Sequence, residues 1–305
     1  MAKPADLSKT KGNRIGATML FHTHSGEDDF GADADIYNRV YGIGFRAVQV
    51  QPNSQSDNWL TGLKQWANER TEDVNVHSID FFVNVGVTPT CPVSDDPERR
   101  SRARDEFQKQ LSKARVCGAL SHFGPLTSGL LAGHYFWEPK HDDRAVEFLS
   151  WARGIAANAN MPVELEPLNR FEAGVSTLAH MQALIARANA GGFLRLGPDT
   201  FHQHVGESHT VDAWKANNGN FGLTGHLSDD GRAIIGDEQA ISQTGVIPYL
   251  ASGKCSIKTW NIEAFGFDVN PGIAGALCLR RLPMQTGLEV MRKSFELVVT
   301  EFSKY

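Results

Sequence analysis

Acidic side chains and a histidine follow four apolar segments in the second half of the chain. The first of these stretches, residues 164–172, holds three carboxylates and an arginine where a short apolar segment ends. Three later apolar segments, separated by helix-length stretches, also end in a residue that can bind a metal ion. The four candidate ligands are Glu166, Asp199, His226 and Glu263. Four such ends in succession predict one shared site.

Three carboxylates and one imidazole form a hard, oxygen-rich ligand set. Such a set suits Mn²⁺, Mg²⁺ or Co²⁺ better than a structural zinc ion. Without a cation the carboxylates would repel one another and their pKa values would rise, and a dication relieves this repulsion. The pattern therefore predicts a divalent metal ion that stabilises the fold as well as supporting the chemistry.

Short segments with strand character alternate with helical segments, which is typical of repeated β-α units around a parallel sheet. The predicted strands are 15–21, 47–51, 81–87, 119–123, 162–166, 194–199, 222–226 and 256–263. The predicted helices are 34–41, 57–72, 97–117, 142–157, 176–190, 209–217, 238–250 and 285–302. Eight such units most economically close into an α/β fold of the (β/α)8 TIM barrel type, whose functional groups cluster at the carboxyl ends of the strands.

The rest of the chain is consistent with one soluble domain. No linker tract or change of composition divides it, so a barrel over residues 14–305 is predicted to follow a polar leader over residues 1–13. With 41% hydrophobic residues and a net charge of -5, neither a nucleic acid nor a membrane partner is expected. The leader lacks an apolar core, which favours a cytoplasmic protein. The four cysteines are far apart, which argues against a zinc knuckle or a disulfide scaffold.

The sequence resembles the sugar-phosphate isomerase and epimerase superfamily of xylose isomerase-like barrels, and within it the ketose 3-epimerases that act on D-tagatose and D-allulose. The segments EPLNRFE, DTFH, GHLSDDGR and IEAF carry this resemblance. It implies that Glu166, Asp199, His226 and Glu263 bind Mn²⁺ or Co²⁺, with Mn²⁺ the first expectation and Mg²⁺ an alternative. It also implies a small carbohydrate substrate and, because family members commonly pair, a homo-oligomer.

The same resemblance implies roles for other residues. Glu172, His202 and Arg232 would contact the substrate. Glu166 and Glu263 would be the catalytic bases, one removing a proton beside a carbonyl and the other returning it to the opposite face through a cis-enediolate. An alternative for Glu172 is that it caps the helix that follows.

Two further features lie outside the motif positions. The first predicted strand ends in His22-Thr23-His24, and we interpret His22 and His24 as substrate-pocket residues, with a packing role for one of them as the alternative. A His-x-His at this place is also typical of metal-dependent amidohydrolases, but those would need histidine ligands on the fifth and sixth strands, where this chain has acids. Trp260, three residues before Glu263, is expected to form an apolar wall of the pocket, with packing between strands and helices as the alternative.

Several functions would use much the same residues. A ketose 3-epimerase is the leading expectation. An aldose-ketose or hydroxypyruvate isomerase, and a metal-dependent eliminating enzyme (a deglycosidase) that acts on 3-keto glycosides, would also remove a proton beside a carbonyl. A different class is a non-catalytic sugar-binding or scaffolding barrel, which would function without Glu166 and Glu263.

Overall fold

The computed structural model describes residues 10, 12–19, 27–70, 74–80, 90–127, 137–229, 245–263 and 284–305. Eight parallel strands form one sheet within these ranges. They are β1 Arg14–Met19, β2 Ala47–Val50, β3 Asn75–Ile79, β4 His122–Gly124, β5 Val163–Leu165, β6 Leu194–Leu196, β7 Thr224–Leu227 and β8 Thr259–Ile262. The prediction of an α/β barrel built from β-α units is confirmed.

The sheet curls until its two edge strands meet. The strand order is β6-β5-β4-β3-β2-β1-β8-β7, so β6 and β7 are the edges. Parallel bridges pair Leu196 with Phe221 and Asp199 with His226. The backbone N–H of Gly222 donates to the Leu196 carbonyl at 2.9 Å, and that of His226 donates to the Pro198 carbonyl at 2.9 Å. These contacts close the barrel, and we call them the β6–β7 seam.

Helices cover the outside of the barrel. They are α1 Ala34–Ile43, α2 Asp57–Asn68, α3 Pro97–Val116, α4 Pro139–Ala159, α5 Leu178–Arg187, α6 Thr200–Gly206, α7 Thr210–Asn217, α8 Val246–Ala251 and α9 Met284–Ser303. Neighbouring helices pack together around the ring, and α9 returns to pack against α1. In the described part of the chain, no helix is long and apolar enough to cross a bilayer.

Local signals account for several helix starts. Asp96 accepts a hydrogen bond from the Glu98 N–H, and Pro97 occupies the first position of α3. Ser56 caps α2 by accepting from the Trp59 N–H. The short helix α6 was not predicted, and only residues 246–250 of the predicted helix 238–250 are observed as helix, since 230–244 lie outside the described residues.

The third strand corrects a prediction. It is Asn75–Ile79, which pairs with β2 and β4, whereas the predicted segment 81–87 lies outside the described residues. The true strand was overlooked because it carries polar side chains. The His77 ring is hydrogen-bonded to the Ser121 hydroxyl, and the Ser78 hydroxyl is hydrogen-bonded to the His122 ring. His77 and Ser78 are therefore both buried, on opposite faces of the sheet, although neither residue is apolar.

The two faces of the sheet differ in polarity. Val48, Val50, Val163 and Leu165 belong to the apolar core between the strands and the helices. The alternate positions include polar side chains that meet inside the barrel, such as Gln49 on β2 and His226 on β7. Ser78 and His122 are polar side chains on the other face, where His122 contacts Gln110 of α3.

Glu164, on β5, spans the interior to the seam. Its carboxylate accepts hydrogen bonds from the backbone N–H groups of Leu223 and Thr224 and from the Thr224 hydroxyl. Burial raises the pKa of Glu164 to about 7, although these hydrogen bonds oppose the rise. Gly222 leaves room for this side chain, because a Cβ there would lie 2.5 Å from the Glu164 Cγ. Glu164 thus supplies acceptors where the β6–β7 ladder is interrupted.

Replacing Glu164 with leucine should lower the free energy of unfolding of the metal-free protein by about 2–4 kcal/mol, because the N–H and hydroxyl of the fully buried Thr224 and the N–H of Leu223 lose their acceptor. Urea unfolding followed by circular dichroism measures this. Glu147→Leu is the control, since the Glu147 side chain is 66% exposed on α4 and should change stability by less than about 0.5 kcal/mol. Equal stability of the two variants would contradict the role assigned to Glu164.

Candidate metal centre and active site

The four predicted ligands lie together at the carboxyl ends of β5 to β8. Glu166 follows β5, Asp199 follows β6, His226 lies in β7 and Glu263 follows β8. One ligand atom of each lies within 4.8 Å of those of the other three. Each of the four residues is at most 3% exposed. Four ionisable groups are thus gathered in a site shielded from solvent.

The Nδ1 atom of His226 faces all three carboxylates. It lies 2.8 Å from Oε2 of Glu263, 3.4 Å from Oε1 of Glu166 and 3.6 Å from Oδ2 of Asp199. Within the described residues, neither His226 Nδ1 nor Glu166 Oε1 has a partner in good hydrogen-bond geometry. Buried polar atoms without a partner are costly. A divalent cation fits this arrangement, because it would bind the lone pairs that otherwise point into the cluster.

The protonation of the cluster follows from burial and charge. Burial, together with the carboxylates of Glu263 and Asp199, raises the pKa of Glu166 to about 8, although His226 opposes the rise. Burial disfavours the charged imidazole, yet the carboxylates outweigh it and hold the pKa of His226 well above its usual value. Without a cation the cluster retains protons, and a bound dication would replace them.

Asp199 divides its two oxygens between the fold and the site. Oδ1 accepts hydrogen bonds from the backbone N–H groups of Phe201 at 2.7 Å and His202 at 3.1 Å, which caps α6. Oδ2 is the oxygen that faces His226. The start of α6 therefore sets the direction of the carboxylate.

The structure brings His202 and Glu172 to the same site. His202 Nδ1 accepts from the Asn169 N–H at 3.0 Å, so its proton is on Nε2. Nε2 lies 3.8 Å from Oε1 of Glu166 and 3.9 Å from Oε2 of Glu172. These distances are too long for direct hydrogen bonds. The Nε2–H of His202 therefore lies beside both carboxylates and next to the four-ligand cluster.

The alternative role for Glu172 is wrong. Helix α5 begins at Leu178, and Thr177 caps it by accepting from the His180 N–H. Glu172 lies in the turn before this helix, where its N–H donates to the Asn169 carbonyl. Its side chain is only 12% exposed and faces His202.

The interpretation of Trp260 as a wall of the pocket is also wrong. Trp260 is fully buried in the core behind the sheet, where its ring packs 5.7 Å from that of Trp214 on α7. Residues three apart in a strand point to opposite faces, so Trp260 and Glu263 cannot share a side of β8. His22, His24 and Arg232, which were also assigned to the pocket, lie outside the described residues.

Comparison with known proteins agrees with the fold. The model of one family, described as xylose isomerase-like TIM barrel, matches residues 38–240, more than half of the chain. The chain belongs to the xylose isomerase-like TIM barrel family. Glu166 and Asp199 stand at the ends of the fifth and sixth strands, where an amidohydrolase would need histidine ligands. Their acidic character agrees with membership of this family. No curated protein sequence matches the chain significantly.

Solved structures of other proteins superpose over most of the chain. D-psicose 3-epimerase with D-tagatose from Clostridium cellulolyticum H10 has a TM-score of 0.74 at 18% identity, covering 96% of this chain and 98% of that one. The 3-keto-D-glucoside 4-epimerase YcjR from E. coli has a TM-score of 0.62 at 15% identity, covering 91% and 99%. The IolI protein with a zinc atom has a TM-score of 0.66 at 14% identity, covering 95% and 99%. At these identities the likeness concerns the fold.

Gln203 was not singled out from the sequence. Its Oε1 accepts from the Asp199 N–H at 2.5 Å, and its Nε2 donates to the Pro167 carbonyl at 3.0 Å. Gln203 thus links Pro167, the residue directly after Glu166, to Asp199, which follows β6. In the sequence, this contact is indicated only by the spacing of four residues, about one helical turn, between Asp199 and Gln203. That spacing is informative only once residues 200–206 are known to form a helix.

Adding Mn²⁺ to chelator-treated protein should raise its melting temperature, because the cation relieves repulsion among the buried carboxylates. At about 100 times the dissociation constant the gain is about 2.7 kcal/mol. Glu263→Gln should lose most of this rise, whereas Glu172→Gln, a control outside the four-ligand cluster, should keep it. Differential scanning fluorimetry measures both. An equal rise in the two variants would show that the cation binds elsewhere.

Proposed function

We propose that this protein is a divalent-metal-dependent sugar epimerase or isomerase, with a ketose 3-epimerase as the leading activity. The observation that carries the proposal is the convergence of Glu166 and Glu263, from non-adjacent strands, on one imidazole nitrogen beside the His202 donor. Such a site has two carboxylates for proton transfer and a polar group for an oxygen. These are the requirements for moving a proton next to a carbonyl.

The cation would be held by the four-ligand cluster, and Mn²⁺ is proposed because three of the four ligands are carboxylates. When bound, a divalent cation supplies Lewis-acid polarisation of a carbonyl and its neighbouring hydroxyl. Co²⁺ and Mg²⁺ suit the same ligand chemistry. The similarity of the fold to the zinc-containing IolI protein supports a metal site without selecting the metal.

Epimerisation needs a proton removed from one face of the reacting carbon and another delivered to the opposite face. Glu166 after β5 and Glu263 after β8 reach the site from different positions around the barrel wall. One carboxylate would take the proton and form the cis-enediolate, and the other, in its protonated form, would return a proton. Reversal of the reaction exchanges the two roles.

His202 and Glu172 would bind the substrate. The Nε2–H of His202, held outward by Asn169, would donate to the oxygen on which negative charge develops. Glu172, on the other side of that donor, would accept from a substrate hydroxyl. By resemblance, Arg232 is proposed to contact the substrate as well.

A second candidate is an enzyme that acts on 3-keto glycosides, by epimerisation or by elimination. The similarity of the fold to a 3-keto-D-glucoside 4-epimerase favours this possibility. The chemical step would again be removal of a proton beside a carbonyl, so the same bases would serve. The size of the sugar accepted, and not the proton transfer, distinguishes the two candidates.

Exchange of carbon-bound hydrogen in deuterated water tests the proposal. Mn²⁺-loaded protein is incubated with D-fructose, D-tagatose or a 3-keto-glucoside, and NMR follows loss of the proton beside each carbonyl. We expect exchange and epimer formation with a ketose, and exchange with the 3-keto-glucoside alone would select the second candidate. If the metal-loaded protein exchanged no proton of any of these carbonyl sugars, the proposal would fail.

Variants separate catalysis from simple sugar binding. Glu166→Gln and Glu263→Gln should each lower the exchange rate by about 10²-fold to 10⁴-fold. Metal content is measured for each variant, so that loss of the cation is told apart from loss of the base. Glu147→Gln on the exposed face of α4 is the control and should exchange at the wild-type rate. A non-catalytic sugar-binding barrel would show bound sugar but no exchange in any of these proteins.

A further inference from the structure

A glutamine on the opposite side of the barrel contacts the metal-site histidine. Gln49 lies on β2, which contributes none of the four candidate ligands, and both it and His226 are fully buried. The Nε2 atom of His226 lies 2.8 Å from Oε1 of Gln49. The Thr18 hydroxyl donates to the same oxygen at 3.2 Å. The Gln49 oxygen thus accepts from two donors inside the barrel.

This contact distinguishes the two ring nitrogens of His226. With a carbonyl oxygen beside Nε2, the imidazole must carry a hydrogen on Nε2 in order to donate it. Neutral imidazole has only one N–H, so Nδ1 then has a free lone pair, and Nδ1 is the atom that faces Glu166, Asp199 and Glu263. The opposite tautomer would place a hydrogen on Nδ1 and block a cation there.

The plane of the ring is held separately. Phe123 on β4 packs against His226 with ring centroids 4.1 Å apart and an interplanar angle of 32°. Gly197 leaves room for this aromatic ring, because a Cβ there would lie 2.4 Å from a Phe123 ring carbon. Phe123 restricts the orientation of the ring but does not distinguish its nitrogens, so the hydrogen bond to Gln49 has to do so.

We propose that Gln49 is a positioning residue that selects the tautomer of His226 with Nδ1 free to bind the cation, and that it thereby sets the affinity of the site. The inference rests on the metal site of the proposed function and adds a determinant from a strand without ligands. Outer partners that accept from a ligating histidine commonly change metal affinity by about 10-fold to 100-fold when they are removed.

Titration of the metal-free protein with Mn²⁺ by calorimetry tests the inference. Gln49→Met, which keeps the length of the side chain but has no oxygen, should weaken binding by about 10-fold to 100-fold. Gln49→Glu keeps an acceptor and should bind as tightly as wild type or more tightly. The control is Gln51→Met, because the Gln51 amide donates to Asp80 at 3.2 Å and its loss should leave the Mn²⁺ affinity unchanged within about 2-fold.

A spectroscopic measurement separates a hydrogen-bond effect from a packing effect. In Zn²⁺-loaded protein labelled with ¹⁵N histidine, long-range ¹H–¹⁵N spectra report the Nε2–H group of His226, which carries the only ring hydrogen when the cation is on Nδ1. Wild type and Gln49→Glu should show this hydrogen in a hydrogen bond, with a downfield resonance and slow exchange with water. Gln49→Met should shift the resonance upfield and speed the exchange, which a merely space-filling role for Gln49 would not predict.

The outcomes are distinguishable. If Gln49→Met binds Mn²⁺ as tightly as wild type, the inference is overturned and the proposed function is unaffected. If the Gln49 variants behave as expected but no sugar is turned over, the inference holds and the proposed function fails. If Gln49→Met does not fold, a Gln49→Glu protein that binds Mn²⁺ 10-fold or more weakly than wild type overturns the inference. Wild type that binds no divalent cation overturns both.

Discussion

The β6–β7 seam is the constraint on which the rest of the site depends. Asp199 and His226 pair directly across it, so the contact that closes the barrel also places two of the four candidate ligands side by side. The seam has few ladder hydrogen bonds, and Glu164 compensates by accepting from the N–H groups at the start of β7. The contact that closes the barrel therefore also brings Asp199 and His226 together.

The site gathers charge where burial makes charge costly. Three carboxylates and an imidazole are removed from water, and each would lose several kcal/mol of solvation if it were not compensated. Part of the compensation comes from the chain, through the α6 cap on Asp199 and the Gln49 bond to His226. One ligand atom of each residue faces those of the other three within 4.8 Å, which is the arrangement expected of a site that is completed by a cation.

Amide side chains hold the parts of this site in place. Gln203 joins the segments after β5 and β6, Gln49 reaches His226 across the barrel, and Asn169 directs His202. An amide can donate and accept without titrating, so it fixes geometry without adding charge to an already crowded cluster. The amides thus hold the geometry of the site without changing its charge.

The sequence by itself determined the β-α alternation, the order of the four strand ends and the chemical nature of their ligands. These features are local, since strand and helix periodicity and the motif residues are read within a few positions. It did not determine β3, whose polar residues are buried by neighbouring strands. The side of β8 to which Trp260 points does follow from the alternation of the strand, because Trp260 is an odd number of positions from Glu263.

Only the tertiary structure decided which distant residues meet. Gln49 and His226 are 177 positions apart, and their contact follows from the register of non-adjacent strands around a closed barrel. The same holds for Glu164 and the start of β7. Such contacts leave no periodic trace in the chain, because each depends on the closure of the whole sheet.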